Sequence, residues 1–276
     1  APASVARRAP GSDLAALLGN AHRAAGEAAG VVLGMAGAAS GSGGPAAELK
    51  GAGDYVTAVD RAAEERIREI LEAGAPGIPV LGEEGGGPSG APEAWVVDPV
   101  DGTTNLVHGF PAVGVSIALV REGRPVVGVV VAPFLGETYL ARRGGGSLRR
   151  DRAGTERPLR VSGRPTASAV VTTGLPFRRR ERLPEALETF ARVFAAVEDV
   201  RRPGAAALDL CWVAAGVFDG YFERGLAAWD LAAGGLLVEE AGGLVTDYEG
   251  GGDYLSGDVL AAPPQVHADL LRVLAG

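Results

Sequence analysis

The most constraining feature of this chain is an eight-residue segment that follows a short apolar run. Residues 94–97 read Ala-Trp-Val-Val, which predicts a strand, and residues 98–105 then read Asp-Pro-Val-Asp-Gly-Thr-Thr-Asn. Two carboxylates therefore lie three positions apart directly after an apolar strand, and Pro99 stiffens the turn between them. The segment predicts a tight turn at the edge of a sheet that carries two acidic side chains.

The residue types of this turn suit a cation next to a phosphate. Asp98 and Asp101 offer oxygen ligands, and the carbonyl of Val100 is a further candidate ligand. Gly102 lets the backbone approach an anion closely, and Thr103 offers an N–H group and a hydroxyl. A cation and a phosphate at one turn indicate phosphoryl chemistry.

Two more carboxylates follow expected strands or turns, at Glu83 and at Asp230. If these side chains meet the two aspartates of the turn, the shared negative charge requires protons or cations. The three histidines of the chain form no cluster with its one cysteine, so an all-oxygen site favours Mg²⁺ over Zn²⁺. In such a site Glu83 and the hydroxyl of Thr103 are natural groups to orient an attacking water.

Each of these pieces also has an ordinary structural explanation. An isolated Asp-x-x-Asp is most often a solvated turn, Glu83 next to Glu84 is most often surface charge, and Asp230 is most often a helix cap. The complete string at 98–105 is much more specific because it combines eight positions of mixed chemistry.

Composition excludes several classes of function. The net charge is −8, which argues against general attraction to nucleic acid or to an anionic membrane. No uncharged apolar run reaches the length of about 18 residues that a membrane span needs. Cys211 is the only cysteine, so no disulfide can form within the chain, and we expect a cytoplasmic location.

The hydrophobic pattern predicts a layered α/β protein. Helices are expected over 13–39, 183–197, 205–215, 230–241 and 265–274, and one more begins at Asp60 as its N-cap. Residues 113–141 predict an antiparallel meander, and the glycine- and arginine-rich stretch 142–157 predicts a loop. We divide the chain into a loose tail over 1–12, an N-terminal half over 13–150 and a C-terminal half over 151–276. The arginine-rich run 178–182 is interpreted as a solvated loop, with substrate selection as the alternative.

Over residues 13–275 the chain resembles the inositol monophosphatase family in its bacterial form. Seven segments carry the resemblance, in chain order 55–60 (Tyr-Val-Thr-Ala-Val-Asp), 82–84 (Gly-Glu-Glu), 95–105, 108–111 (His-Gly-Phe-Pro), 201–210 (Arg-Arg-Pro-Gly-Ala-Ala-Ala-Leu-Asp-Leu), 229–234 (Trp-Asp-Leu-Ala-Ala-Gly) and 239–243 (Glu-Glu-Ala-Gly-Gly). Their order and spacing match the family pattern, although Val100 stands where isoleucine is commoner.

The resemblance implies an αβαβα sandwich, a homodimer and Mg²⁺-dependent hydrolysis of a phosphate monoester. It implies two or three metal ions, replacement by Mn²⁺ and inhibition by Li⁺. The metal ligands that it implies are Glu83, Asp98, the Val100 carbonyl, Asp101 and Asp230.

The resemblance also implies how the other site residues act. Glu83 and Thr103 would activate the attacking water. Gly102 and Thr103 would hold the phosphate, and Asp101 and Asp230 would also contact the substrate. The remaining residues that it implies are Ala206 and Glu223 at the alcohol half, Asp60 at a weaker metal site, and Lys50 in a loop beside the metals.

Inositol monophosphate is the first candidate substrate. The same machinery would serve histidinol phosphate, fructose 1,6-bisphosphate or 3′-phosphoadenosine 5′-phosphate. A protein of a different class, which keeps the fold for binding or regulation without catalysis, is a further alternative.

Overall fold

The structure, a computed structural model, describes the backbone of residues 12–38, 47–51 and 54–275 and the side chains of 14–37, 48 and 57–275. Within these residues the chain forms seven α-helices: α1 (Ser12–Ala38), α2 (Ala58–Gly74), α3 (Thr103–His108), α4 (Leu183–Phe194), α5 (Ala206–Ala214), α6 (Ala228–Glu240) and α7 (Pro264–Leu274). No helix of the described residues combines the length and the apolar character needed to cross a bilayer.

The described residues also form fourteen strands. These are β1 (Ala47–Gly51), β2 (Asp54–Thr57), β3 (Val80–Gly82), β4 (Glu93–Asp101), β5 (Gly114–Arg121), β6 (Arg124–Ala132), β7 (Glu137–Arg142), β8 (Ser147–Arg150), β9 (Glu156–Pro158), β10 (Val170–Thr173), β11 (Asp199–Arg201), β12 (Gly220–Glu223), β13 (Leu244–Thr246) and β14 (Val259–Ala262).

Two large sheets and three helical layers alternate. Strands β3 to β9 form the first sheet in chain order, and the second sheet has the order β11-β10-β12-β14-β13. Helices α1 and α2 cover the outer face of the first sheet, α5 and α6 fill the space between the sheets, and α4 and α7 pack outside the second sheet. This arrangement confirms the predicted αβαβα sandwich.

Most predicted elements have counterparts in the structure, but the loop predicted over 142–157 is wrong. Two short strands, β8 and β9, lie there and extend the first sheet beyond β7. Cross-strand charge pairs favour them, since Arg149 on β8 contacts Glu137 on β7 at 3.0 Å and Arg150 pairs with Glu156. The division of the chain after residue 150 stays a prediction.

The start of α2 also differs from the sequence-based expectation. Thr57, not Asp60, is the N-cap, and its side chain accepts the N–H of Val59. Asp60 occupies the third helical position and accepts the N–H of Thr57 at 2.9 Å, which completes a capping box. In this arrangement the capping box uses one carboxylate oxygen of Asp60 and leaves the other available for another partner.

Candidate active site

Three aspartates converge where the first sheet meets the middle helical layer. Asp98 and Asp101 lie at the end of β4, and Asp230 lies in the first turn of α6. One carboxylate oxygen of each residue lies within 4.8 Å of one oxygen from each of the other two. The structure therefore brings together three of the four side-chain carboxylates predicted to bind metal.

The electrostatics of this group require a cation or protons. Burial is the main cause that raises the pKa of Asp98 well above its ordinary value, and the charges of Glu83, Asp101 and Asp230 add to it. Burial, with the nearby Asp230, raises the pKa of Asp101 to about 8, and burial raises that of Asp230 to about 6. A buried cluster of oxygen donors whose ionised forms repel one another suits a hard divalent ion such as Mg²⁺.

Backbone N–H groups hold each of the three carboxylates in place. The N–H of Val100 donates to Asp98 at 2.9 Å, that of Ala207 donates to Asp101 at 2.7 Å, and that of Ala227 donates to Asp230 at 2.7 Å. Because every donor belongs to a strand end or a helix start, the carboxylates are positioned by the fold itself.

The turn after the aspartates needs a glycine. Strand β4 runs through Asp98 to Asp101, beyond the end expected at Val97, and its pairing with β5 is irregular between these aspartates. Gly102 follows with φ +91°, and a Cβ there would lie 2.8 Å from the carbonyl oxygen of Ala112. Only glycine fits this conformation and this space, so the backbone of the turn can lie close to the carbonyl oxygen of Ala112.

Thr103, the first residue of α3, contacts two groups of the site through its hydroxyl. The hydroxyl lies 2.9 Å from a carboxylate oxygen of Asp60 and 3.1 Å from the carbonyl oxygen of Val100. Asp60 is buried and already holds the start of α2, so it orients the Thr103 hydroxyl from a fixed position. Asp60 thus lies next to the predicted site, behind Thr103.

Glu83 lies in the turn after β3 and lines the same cleft as the aspartates, outside the tight group of three. Its loop is held by a residue that sequence reasoning missed. Glu64 on α2 is 3% exposed, and its carboxylate accepts the N–H groups of Glu84 at 2.8 Å and Gly85 at 2.9 Å. A charged residue on the apolar face of an amphipathic helix, one turn before Ile67, was the available signal.

Ala206 and Glu223 also line this cleft, as the resemblance implied. Ala206 begins α5, and Glu223 ends β12, where it accepts a hydrogen bond from the Tyr221 hydroxyl at 2.6 Å. Burial raises the pKa of Glu223 to about 7. The cleft, called the acidic cleft below, is defined by these lining residues: Glu83, Asp98, Val100, Asp101, Gly102, Thr103, Ala206, Glu223 and Asp230.

Asn105 is a second residue whose part the sequence did not reveal. Its side-chain amide donates to the carbonyl oxygens of Ala112 at 2.7 Å, Pro203 at 3.0 Å and Gly204 at 3.3 Å. It therefore ties α3 to the segment that leads into α5. The only sign of this role in the sequence was the position of Asn105 at the end of the segment 98–105.

Lys50 lies on β1, but its side chain lies outside the described residues. The arginine-rich run 178–182 is mostly exposed, as expected for a solvated loop, but it also borders the cleft. The side chains of Arg178 and Arg180 line the acidic cleft, and Arg202 joins them from the segment before α5. Basic side chains thus surround a site whose floor is acidic.

The comparisons with known proteins agree with this geometry. The profile of the inositol monophosphatase family matches residues 14–275. The chain belongs to the inositol monophosphatase family. Membership confirms the predicted family, fold and enzyme class, a phosphoric monoester hydrolase.

Relatives in this family carry two kinds of name. The inositol-1-monophosphatase of Mesorhizobium japonicum is 46% identical over 230 residues, which cover 82% of this chain and 85% of that protein. The Nus factor SuhB of Pasteurella multocida is 45% identical over 228 residues, which cover 81% and 84%. Among solved structures, the extragenic suppressor protein suhB of Bartonella henselae has a TM-score of 0.85 at 38% identity, and covers 94% of this chain and 98% of that one. The inositol monophosphatase of Anabaena has a TM-score of 0.82 at 35% identity, and covers 95% and 96%.

Proposed function

We propose that this chain hydrolyses phosphate monoesters with Mg²⁺ and that inositol monophosphate is its preferred substrate. The observation that carries the proposal is the convergence of Asp98, Asp101 and Asp230 within 4.8 Å, next to the turn at Gly102 and Thr103. Because Asp98 and Asp101 are buried and the charge of Asp230 raises the pKa of both, this group suits a cation that also faces a phosphate.

Five groups would hold two or three Mg²⁺ ions: the side chains of Glu83, Asp98, Asp101 and Asp230 and the carbonyl of Val100. When bound, Mg²⁺ withdraws charge from phosphate oxygens and lowers the pKa of a coordinated water. Mn²⁺ is expected to replace it and Li⁺ to inhibit. Asp60, which contacts the hydroxyl of Thr103, is proposed for a weaker additional ion, and Lys50 is proposed for the loop beside the metals.

Glu83 and Thr103 would orient the attacking water. The Thr103 hydroxyl donates to Asp60, so its oxygen remains free to accept a hydrogen from the water, and Glu83 accepts the proton that the water loses. The water oxygen forms the new bond to phosphorus, the bond from phosphorus to the alcohol oxygen breaks, and that oxygen takes a proton from solvent.

The remaining residues would bind the two ends of the ester. The N–H group of Thr103 lies in the first turn of α3, where no intrahelical acceptor exists, and with Gly102 and Asp101 it would hold the phosphate end. The backbone of Ala206 and the carboxylates of Glu223 and Asp230 would contact hydroxyls of the alcohol half.

A phosphate-release assay on a substrate panel tests this proposal. Inositol 1-phosphate, histidinol phosphate, fructose 1,6-bisphosphate and 3′-phosphoadenosine 5′-phosphate are each incubated with Mg²⁺ or with EDTA. We expect Mg²⁺-dependent release, fastest from inositol 1-phosphate, and none in EDTA. A large preference for another ester would overturn the inositol assignment but not the phosphatase assignment.

The variant Asp101→Asn gives a matched test of the metal site, because the amide oxygen can still accept the N–H of Ala207. Glu249→Gln, at an exposed position away from the cleft, is the control. Mg²⁺ binding measured by calorimetry should weaken in the first variant and not in the second. Equal Mg²⁺ affinity in both variants would remove Asp101 from the ligand set.

A non-catalytic binding role is the second candidate, because the relative from P. multocida is named a Nus factor rather than a phosphatase. The net charge of −8 gives no general affinity for nucleic acid, and we expect none. A wild-type protein that releases no phosphate from any ester of the panel would favour this second candidate. We also expect a cytoplasmic homodimer, which sedimentation can check for the oligomeric state.

A further inference from the structure

A second cavity opens from the wall of the acidic cleft. It has a volume of about 280 Å³, near the lower end of the roughly 300–1,000 Å³ typical of small-molecule sites. The two spaces share Gly174, Phe177, Leu226 and the carboxylates of Glu223 and Asp230 as walls. A substrate whose phosphate lies at the aspartates can therefore extend its alcohol half into this second space, called the side cavity below.

Four arginines line the side cavity, and two of them are neutralised by carboxylates. Arg224 contacts Glu185 at 2.8 Å and lies 3.8 Å from Asp258, and it also stacks on the ring of Tyr248. The charge of Arg178 acts on Asp230 and Glu223, where it opposes the rise in their pKa caused by burial. The charge of these two arginines is thus balanced by the protein itself.

The other two arginines, Arg179 and Arg182, converge without such balance. Their Nη1 atoms both lie within 4 Å of the point where a side chain at Gly225 would begin. Within the described residues Arg179 forms no ion pair, and the only carboxylate near Arg182 is that of Glu185 at 4.0 Å, which Arg224 already occupies. Two guanidinium groups that approach the same position in a cavity form a site for an anion with several oxygens, such as a phosphate.

We propose that Arg179 and Arg182 bind a second phosphate group on the alcohol half of the substrate. This inference rests on the proposed function, since it places the reacting phosphate at the aspartates and the second one in the side cavity. The chain would then accept esters with two phosphates and favour them over the matching monophosphates. The aromatic rings of Phe190 and Trp229, which also line the cavity, would pack against the part that links the two phosphates.

The test compares matched pairs of substrates in the wild type and in the double variant R179Q/R182Q. The pairs are fructose 1,6-bisphosphate with fructose 1-phosphate, and 3′-phosphoadenosine 5′-phosphate with adenosine 3′-monophosphate, so that each monophosphate keeps the phosphate to be hydrolysed. For at least one pair we expect kcat/KM of the bisphosphate to fall about tenfold more than that of the monophosphate, mainly through KM, as loss of one strong ionic contact predicts. R192Q, in the last turn of α4 and outside both cavities, is the control and should leave the ratio unchanged.

Two outcomes would overturn the inference. In one, the wild type hydrolyses the monophosphates but neither bisphosphate. In the other, the double variant lowers kcat/KM equally for both members of each pair, or for neither. Both differ from failure of the proposed function, in which no ester releases phosphate in an Mg²⁺-dependent way. Added salt should also raise the KM of the bisphosphate less in the double variant than in the wild type, because the screened contact with the second phosphate is absent.

Discussion

In the acidic cleft, each of three aspartates is held by a backbone N–H group at the end of a strand or the start of a helix. In the side cavity, by contrast, Arg179 lies in an exposed turn and Arg182 in the short 3₁₀ turn before α4. The two spaces share a wall. The charged groups of the acidic cleft are held by strands and helices, whereas those of the side cavity are the ends of long side chains on a turn. We therefore expect the reaction at phosphorus to depend on the fold and the choice of alcohol to depend on exposed residues, which can change without disturbing the fold.

The largest effect is expected from Asp98→Asn. The amide keeps the hydrogen bond from Val100 but removes a proposed metal ligand, so kcat/KM should fall about 10³-fold. In EDTA at pH 8 the same variant should melt at a higher temperature than the wild type, because it no longer buries a repelling carboxylate. Loss of activity together with loss of stability in EDTA would mean that Asp98 has a structural role only.

A smaller effect is expected from Thr103→Ala, which removes the hydroxyl beside Asp60 and Val100. Activity should fall about 100-fold with little change in KM, as for loss of a group that positions the attacking water. Thr103→Ser keeps the hydroxyl and should recover most of the activity. If serine and alanine are equally impaired, the methyl group and not the hydroxyl is what the site needs.

The pH dependence of stability should reveal the cluster directly. Burial raises the pKa of Asp101 to about 8 and that of Asp230 to about 6, so between their ordinary values and these values the folded chain binds more protons than the unfolded chain. In EDTA the cluster therefore makes stability fall as pH rises, by up to about 1.4 kcal/mol per pH unit for each titrating group.

If Mg²⁺ binds in place of these protons, as proposed, the increase in melting temperature on adding Mg²⁺ should grow from pH 6 to pH 8.5. Thermal unfolding with Mg²⁺ and with EDTA at each pH measures this. The same series with Asp101→Asn should show a smaller growth. An Mg²⁺ effect that is constant over this range would contradict the assignment of the raised pKa values to the metal site.

The smallest effect is expected for the stability of R179Q/R182Q. Exposed charges contribute about 0–1 kcal/mol each, so its melting temperature should stay within about 2 °C of the wild type. A large loss of stability would show that Arg179 and Arg182 also support the folded framework, as the backbone contacts of the acidic cleft do.

The sequence allowed the chemistry of the acidic cleft to be predicted because the motif combines conformation and ligands in one segment. Gly102 gives the turn a residue that readily adopts the φ of +91° found there. Asp98 and Asp101 place two negative charges close together, which calls for a cation or protons. Asp230 was a candidate from its position in the chain, but its place in the ligand set followed only from the family resemblance, since by itself an acidic residue in the first turn of a helix is usual.

Other features could not be predicted from local pattern. Strands β8 and β9 are rich in arginine, and their charge pairs with neighbouring strands become visible only when the sheet is formed. Glu64 acts on a loop that approaches it through folding, and Arg179 and Arg182 meet over Gly225, which belongs to a distant part of the chain. Such residues are placed by tertiary contacts, so sequence periodicity carries no sign of their partners.

The hydrogen bond from Ala207 to Asp101 has a consequence for how the protein matures. It joins the first sheet to a helix of the middle layer, and Asp230 reaches the same point from the next helix of that layer. A growing polypeptide on the ribosome therefore exposes its Asp-Pro-Val-Asp segment long before the groups that complete the site have been synthesised. Enzymatic competence should arise late and abruptly during biogenesis, and a fragment that ends before residue 228 should be inert even where its first sheet has formed.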